Sequence, residues 1–346
     1  GSHGKTSITS MVLHVLKTLG RSFDYLVGAR IEGFDLMASL SDAPIIIIEG
    51  DEYLASPIDR RAKFLLYQPH ICLISGIAWD HINVYPTFES YTDSFKSLIQ
   101  GLPKAGSLFF DQTDSVLKDL AAQCPDHCEK TGYEAHPAKI ENGQTILKGE
   151  DGKTYPLQVF GEHTLKNLNG ARYICEQIGV TMSEFYEAIT TFKGAAKRLE
   201  LVASSESSLL YKDFAHAPSK VNATTQAVKK QFPKRKLVAC LELHTFSSLN
   251  PAFLPEYEDT LNLADEAIVY LSEHAREIKR MDRIEESIVQ TYFKHPNLKV
   301  IRDAETLKQT LLSQTWANAN LLMMSSGTFD GLDLSGLGQE MGLLSV

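Results

Sequence analysis

Apolar residues at Ile8, Met11, Val12, Val15, Leu16 and Leu19 recur at three- and four-residue steps. This spacing predicts a helix running from Thr6 to a stop at Gly20. Two apolar runs follow, Ile45–Ile48 and Ile71–Ile77. Both have the length and β-branched content of strands buried on two faces of a parallel sheet. The first ends in Glu49-Gly50-Asp51-Glu52 and the second leads into Trp79-Asp80-His81. Periodicity then predicts a helix over Phe88–Ile99, a strand over Ser107–Phe110 and a helix over Ser115–Gln123. Residues 131–160 alternate and carry turn residues at Glu141-Asn142-Gly143 and Glu150-Asp151-Gly152, the pattern of a β-hairpin elaboration. Helices over Leu165–Ile178 and Met182–Thr191 complete the first half.

After Arg198 a second alternation begins. Strands are expected at Ser208–Tyr211, Leu237–Leu243, Ala267–Leu271, Lys299–Ile301 and Leu321–Met324. Helices are expected between them at Ser219–Gln231, Tyr257–Ala264, Ile284–Phe293 and Ala304–Leu312. The expected fold class is therefore α/β, with two doubly wound domains over residues 1–197 and 198–346. A chain of 346 residues accommodates two such domains.

Composition narrows the partners. The chain is 43% apolar and 22% charged, as in globular proteins, and its net charge is −9 with no basic run. Nucleic acid and anionic membrane are poor general partners for such a surface. The longest apolar runs are strand-sized and too short to cross a bilayer. Five cysteines in a long chain suit a reducing cytoplasm better than a disulfide framework. Cys124-Pro-Asp-His-Cys128 lacks a second ligand pair at a zinc-like spacing, so free thiols are expected there.

The strongest local signal is Gly4-Lys5-Thr6-Ser7 at the head of the first helix. Glycine lets backbone wrap phosphate oxygens, the helix N-terminus offers free N–H groups, and lysine reaches the terminal phosphates. The Thr6 hydroxyl is placed to bind Mg²⁺. The acidic residues Glu49, Asp51 and Glu52 follow a strand, where ligands of open parallel sheets lie and where a phosphate-bound cation needs oxygen donors. Asp80-His81 ends the next strand at an equivalent place. One phosphate loop with two such strand ends suits two-metal phosphoryl transfer.

These pieces, in this order, resemble the Mur ligase family across nearly the whole chain. Gly1-Ser2-His3-Gly4-Lys5-Thr6-Ser7 is similar to that family's phosphate loop, Glu49 to its Mg²⁺-binding glutamate, and His81 to its metal-binding histidine. Gly161-Glu162-His163-Thr164-Leu165-Lys166-Asn167 resembles a segment whose asparagines hold the nucleotide. Thr164 stands where the family has one of those asparagines, while Asn167 is retained. Arg198 resembles a phosphate-contacting arginine at the domain junction. Asp213, in Asp213-Phe214-Ala215-His216, resembles the aspartate that binds the ATP ribose. Ala217 stands where many relatives carry a second histidine.

The resemblance implies a central ATP-binding domain of P-loop ATPase type, a Rossmann-like C-terminal domain, and ATP and Mg²⁺ as cofactors. Catalytic roles fall on Lys5, Glu49, His81 and Arg198. Nucleotide contacts fall on Gly1, Gly4, Lys5, Thr6, Ser7, Asn167, Arg198, Asp213 and His216, and metal ligation on Thr6, Glu49 and His81. Lys96 stands where some members carry a carbamylated lysine, and a solvated helix face is expected for it.

Within the family, Glu49-Gly50-Asp51-Glu52-Tyr53 and Asp59-Arg60-Arg61-Ala62-Lys63-Phe64 are similar to the peptide-recycling branch. That branch joins the murein tripeptide L-Ala-γ-D-Glu-meso-diaminopimelate to UDP-N-acetylmuramate through an acyl phosphate, in the cytoplasm. Nucleotide ligands in both domains imply closure over ATP. The sequence opens inside the phosphate-loop motif, and the resemblance implies a UDP-binding domain ahead of it. Three other readings are a UDP-N-acetylmuramate–L-alanine ligase, a folylpolyglutamate-type ligase and a nucleotide-binding module without turnover.

Overall fold

The computed structural model describes residues 1–29, 31, 33–79, 84–195 and 198–345. The chain divides into two compact units, Gly1–Ala195 and Ala196–Val346.

The first unit opens with α1 (Lys5–Thr18), whose face of Ile8, Met11, Val12, Val15 and Leu16 is buried. Gly20 at φ 64° ends it: Gly20 N–H donates to the Lys17 carbonyl at 3.0 Å and Arg21 N–H to Leu16 at 2.9 Å. Such a left-handed stop closes the last carbonyls of a helix, and glycine adopts it at little cost.

Next come β1 (Asp24–Leu26), β2 (Ala38–Ser39), β3 (Ile46–Ile48), β4 (Ile71–Ile74), α2 (Phe88–Gln100), β5 (Ser107–Asp111), α3 (Ser115–Ala121) and β6 (Glu129–Tyr133). An antiparallel meander follows, of β7 (Ala138–Glu141), β8 (Gln144–Lys148) and β9 (Thr154–Leu157). Its first turn uses Asn142 and Gly143 at φ 51° and 77°, the left-handed pair that matches strand twist in a two-residue hairpin. Helices α4 (Glu162–Gln177) and α5 (Met182–Ile189) complete the unit.

Parallel pairing joins β1 to β3, and β4 to β5 to β6. The pairings among the described residues form three three-stranded sheets in this unit. Among the described residues β3 pairs only with β1, and Ile46 is 45% exposed, so this run is not covered on both faces as its apolar content predicts. One core packs α1, α4 and α5 through Met11, Leu168, Phe185 and Ile189. Another packs α2 and α3 on β4 and β5 through Ile74, Tyr91, Phe95, Leu108 and Leu117.

The second unit contains β10 (Glu200–Ser204), β11 (Leu209–Asp213), α6 (Pro218–Gln231), β12 (Lys236–Leu243), β13 (Glu266–Leu271), α7 (Glu273–Lys279) and α8 (Glu286–Phe293). It ends with β14 (Leu298–Ile301), α9 (Ala304–Leu312), β15 (Ala319–Met324), α10 (Leu334–Glu340) and β16 (Leu344–Ser345). One seven-stranded sheet has the order β14-β13-β12-β15-β11-β10-β16. β14 through β11 run parallel, and β10 and β16 form an antiparallel edge. β12 and β15 are buried along nearly their whole length, as central parallel strands covered on both faces are.

From β12 the chain winds outward to β13 and β14, then returns to lay β15 on the other side of β12. The strand order thus reverses between β12 and β15, and in open α/β sheets ligands usually lie beyond the carboxyl ends of the strands at such a reversal.

The helix expected over Tyr257–Ala264 is absent. Pro251–Tyr257 forms a 3₁₀ turn containing Pro255, and Asp259 at φ 62° diverts the chain away from helix. Tyr257, Leu261 and Ala264 are buried all the same, which explains the helical spacing of their apolar side chains.

Candidate active site

Gly4 precedes α1 at φ 79°, ψ −11°, and its carbonyl accepts the N–H of Ile8 at 2.8 Å. The first turn of α1 therefore points free N–H groups out of a tight left-handed bend. A Cβ at Gly4 would fall 2.3 Å from Asn167 Oδ1, so this asparagine of α4 leans directly over the bend. Gly1 is equally confined: a Cβ there would lie 2.7 Å from Ser75 Oγ. Ser2 binds the loop after β4, its N–H donating to Gly76 O at 3.0 Å and its hydroxyl to Ala78 O at 2.7 Å. Ser7 sits half-buried on the first helical turn.

Two hydrogen bonds hold the carboxylate of Glu49 at the tip of β3, one from the first turn of α1 and one from the segment after β1. Thr6 Oγ1 donates to Glu49 Oε1 at 2.7 Å, and Gly28 N–H donates to Glu49 Oε2 at 3.1 Å. Lys5 Nζ donates to Gly1 O at 2.7 Å and to Glu52 Oε1 at 2.8 Å. Glu52 is 1% exposed, so the lysine's charge is balanced by a carboxylate out of solvent.

The neighbouring loop is stiffened by its own ion pairs. Lys63 Nζ lies 2.6 Å from Asp51 Oδ2, and Arg61 forks onto Asp59 through Nε at 2.9 Å and Nη2 at 2.7 Å. The hydrogen bond from Arg61 holds the Asp59 carboxyl down at about 2. Arg60 remains exposed. Lys96 is half-buried on α2. His81 lies outside the described residues, and among the described residues no group of three or more His, Cys, Asp or Glu side chains forms a metal cluster.

In the second unit, Asp213 ends β11 and is buried. Its carboxylate accepts the Leu199 N–H and the Ala215 N–H, each at 2.6 Å. Burial raises its pKa, opposed by those two N–H groups and by the charge of Arg198. The Arg198 guanidinium lies over the Phe214 ring, 5.1 Å from its centroid. His216 Nδ1 lies 2.8 Å from the Phe214 carbonyl oxygen, and its ring meets Phe214 edge-on at 5.1 Å. Arg198, Asp213, Phe214 and His216 thus form one cluster at the carboxyl end of β11.

The structure thus brings Gly1, Gly4, Lys5, Thr6, Ser7, Glu49 and Asn167 together in one unit, and Arg198, Asp213 and His216 in the other. Sequence reasoning assigned no partner to Lys5 and no role to Gly28. Glu52 was visible only as one of three acidic residues after a strand, with nothing to single it out as the lysine's counter-charge. Gly28, just beyond the carboxyl end of β1, is the position where a main-chain N–H can meet a carboxylate on the adjacent strand tip.

The thiols of Cys72, Cys124, Cys128, Cys175 and Cys240 are free. Among the described residues no helix is long and apolar enough to cross a membrane.

Comparison with known proteins converges. The chain is 31% identical over 280 residues to the UDP-N-acetylmuramate–L-alanine ligase of Caldicellulosiruptor bescii, spanning 78% of this chain and 60% of that protein. It is 25% identical over 340 residues to the UDP-N-acetylmuramate–L-alanyl-γ-D-glutamyl-meso-2,6-diaminoheptandioate ligase of Escherichia coli, spanning 96% of this chain and 73% of that one. The fold matches the crystal structure of the murein peptide ligase of Psychrobacter arcticus at a TM-score of 0.62 and 20% identity, covering 99% of this chain and 75% of that one. It matches the MurF ligase of Thermotoga maritima, solved in complex with ADP, at a TM-score of 0.73 and 17% identity, covering 99% and 77%. The model of the Mur ligase middle domain matches residues 1–175, about half the chain, and with this match the chain belongs to the Mur ligase family.

Proposed function

We propose that the chain is the ATP-using part of an amide ligase that joins L-Ala-γ-D-Glu-meso-diaminopimelate to UDP-N-acetylmuramate in the cytoplasm, with ATP and Mg²⁺. The observation that carries this reading is the pairing of a left-handed glycine bend at the head of α1 with two carboxylates at the tip of β3, one on Thr6 and one on Lys5.

The residues fit those groups. Gly4 leaves a concavity that a Cβ would fill, bounded by Asn167. Thr6 Oγ1 and Glu49 are hard oxygen donors of the kind Mg²⁺ requires, 2.7 Å apart. Mg²⁺, when bound, supplies positive charge against the phosphate oxygens. Thr6 and Glu49 would hold it, and His81 would serve a second ion.

The N–H groups of the Gly1–Ser7 loop bind phosphate oxygens, and Lys5 and Arg198 neutralise the charge that grows on the transferred phosphoryl group. Asn167, Asp213 and His216 hold the nucleoside. The UDP-N-acetylmuramate carboxylate attacks the γ-phosphorus, and the bond to ADP breaks. The peptide amine then attacks the acyl phosphate carbonyl, loses a proton, and phosphate leaves. Residues 1–195 act as the central ATP-binding domain and the rest as the C-terminal domain of the family.

The Asp59-Arg60-Arg61 stretch favours the peptide over a single amino acid. The 31% identity with an L-alanine ligase supports L-alanine as the second reading. Phosphate release from ATP with UDP-N-acetylmuramate separates them. Stimulation by the tripeptide is expected. Stimulation by L-alanine alone selects the second reading, and stimulation by neither overturns both.

A further inference from the structure

At the reversal of the second sheet, at the carboxyl ends of β12 and β15, two buried side-chain atoms have no hydrogen-bond partner among the described residues: Glu242 Oε1 and Ser326 Oγ. Glu242 is 1% exposed, and its other oxygen is occupied. Oε2 accepts the Ser325 hydroxyl and, at 2.9 Å, the Phe329 N–H. Gly327 N–H donates in turn to Ser325 Oγ at 2.6 Å.

The loop over these atoms is tightly specified. A Cβ at Gly327 would lie 2.5 Å from His244 Cδ2 and 2.9 Å from Glu242 Oε2, so the main chain lies flat on both groups. The next turn holds Phe329 and Asp330 at φ 51° and 52°, a left-handed conformation that side chains rarely adopt. Asp330 pins it to β13 and its end, accepting Tyr270 OH at 2.7 Å and Ser272 Oγ at 2.5 Å. Backbone strain of this kind clusters at ligand clamps. The loop itself borders solvent: Ser326 and Gly327 are half-buried and Thr328 is exposed.

A buried carboxylate oxygen without a donor is costly, and its natural complement is a charged donor. The charged groups that act on Glu242 are His244 and Asp330, and neither supplies one, since Oε1 has no hydrogen-bond partner among the described residues. One carboxylate oxygen and one hydroxyl are too few for a divalent ion, which takes six or more oxygens. They suit a primary ammonium, whose hydrogens divide between carboxylate and hydroxyl.

We propose that Glu242 Oε1 and Ser326 Oγ form a subsite for the distal ammonium of the incoming peptide's diamino acid. This rests on the ligase reading above. The nucleophilic amine itself is excluded from this position, because an ammonium locked on a buried carboxylate keeps the proton that attack requires it to lose. Burial raises the Glu242 pKa, an effect that a bound ammonium offsets.

The test is calorimetric titration of the chain, with an ATP analogue and Mg²⁺ present, against two peptides. One is L-Ala-γ-D-Glu-meso-diaminopimelate, and the other ends in 2-aminopimelate and lacks the distal amine. The first is expected to bind about ten- to hundredfold tighter, as one charge-assisted hydrogen bond provides. Glu242→Gln is expected to abolish that difference while leaving the second peptide's affinity unchanged. Ser326→Ala, which conserves the loop's shape, is expected to reduce the difference and keeps the test decisive if the glutamine variant folds poorly. Equal affinity of the native chain for the two peptides overturns the subsite and leaves the ligase reading standing. Binding of neither peptide to the nucleotide-loaded native chain overturns both.

Discussion

Thr6 Oγ1 donates to Glu49 Oε1 at 2.7 Å, tying the first turn of a helix to the tip of a strand far away in sequence. The same carboxylate accepts the Gly28 N–H through its second oxygen, so its orientation is set before any ligand arrives. Glu49→Gln retains an acceptor but removes the charge. Phosphate release is expected to fall roughly 100-fold or more, the scale of losing one preorganised electrostatic contact. Nucleotide binding should lose most of its Mg²⁺ dependence, with thermal unfolding nearly unchanged.

Two separable roles are proposed for Lys5. Lys5→Ala takes the cation from the buried carboxylate of Glu52 and is expected to cost about 3 kcal/mol, the lower end for a broken buried pair because Lys5 is partly exposed. Adding Glu52→Gln removes the buried charge and should restore most of the lost melting temperature. It should restore none of the phosphate release, since the ammonium is still missing. Recovery of turnover in the double variant would show that Lys5 acts only on stability.

Gly4→Ala meets both the left-handed backbone and Asn167 Oδ1. A destabilisation of about 1–3 kcal/mol is expected, with loss of nucleotide affinity. Adding Asn167→Ala relieves the contact but not the backbone, so denaturant titration should show only partial recovery.

Glu242 has its pKa raised in the folded chain by burial, so the native state holds its proton to higher pH than the unfolded chain does. Stability from this group is therefore greatest at low pH and declines as pH rises from the ordinary glutamate range through the raised value. Glu242→Gln does not titrate. Its melting temperature relative to the native chain should rise across that window and level off above it. A difference independent of pH from 4 to 8 would contradict the shift.

Much of the fold was legible from local pattern. The α1 stripe from Ile8 to Leu16 and the Asn142-Gly143 turn are short-range signals, and both appear where they were expected. Tyr257–Ala264 was not legible, because apolar spacing there reflects packing of a turn and Pro255 with left-handed Asp259 overrides it. The exposed face of Ile46 was hidden too, since a β-branched run does not say how many neighbours its strand has. The pieces of the Gly1–Ser7 loop were visible as residue types. Asn167 over Gly4, Glu52 on Lys5 and Gly28 on Glu49 depend on tertiary approach between distant segments, which spacing does not encode. Glu242 was equally hidden, a single carboxylate within an apolar strand.

A crystal structure of the chain with Mg²⁺ and a non-hydrolysable ATP analogue tests the central claim most directly. The expected result is a triphosphate on the N–H groups between Gly4 and Ser7, Lys5 turned to its terminal phosphates, and the metal on Thr6 and Glu49. A nucleotide bound elsewhere, with Lys5 still on Gly1 and Glu52, would contradict it.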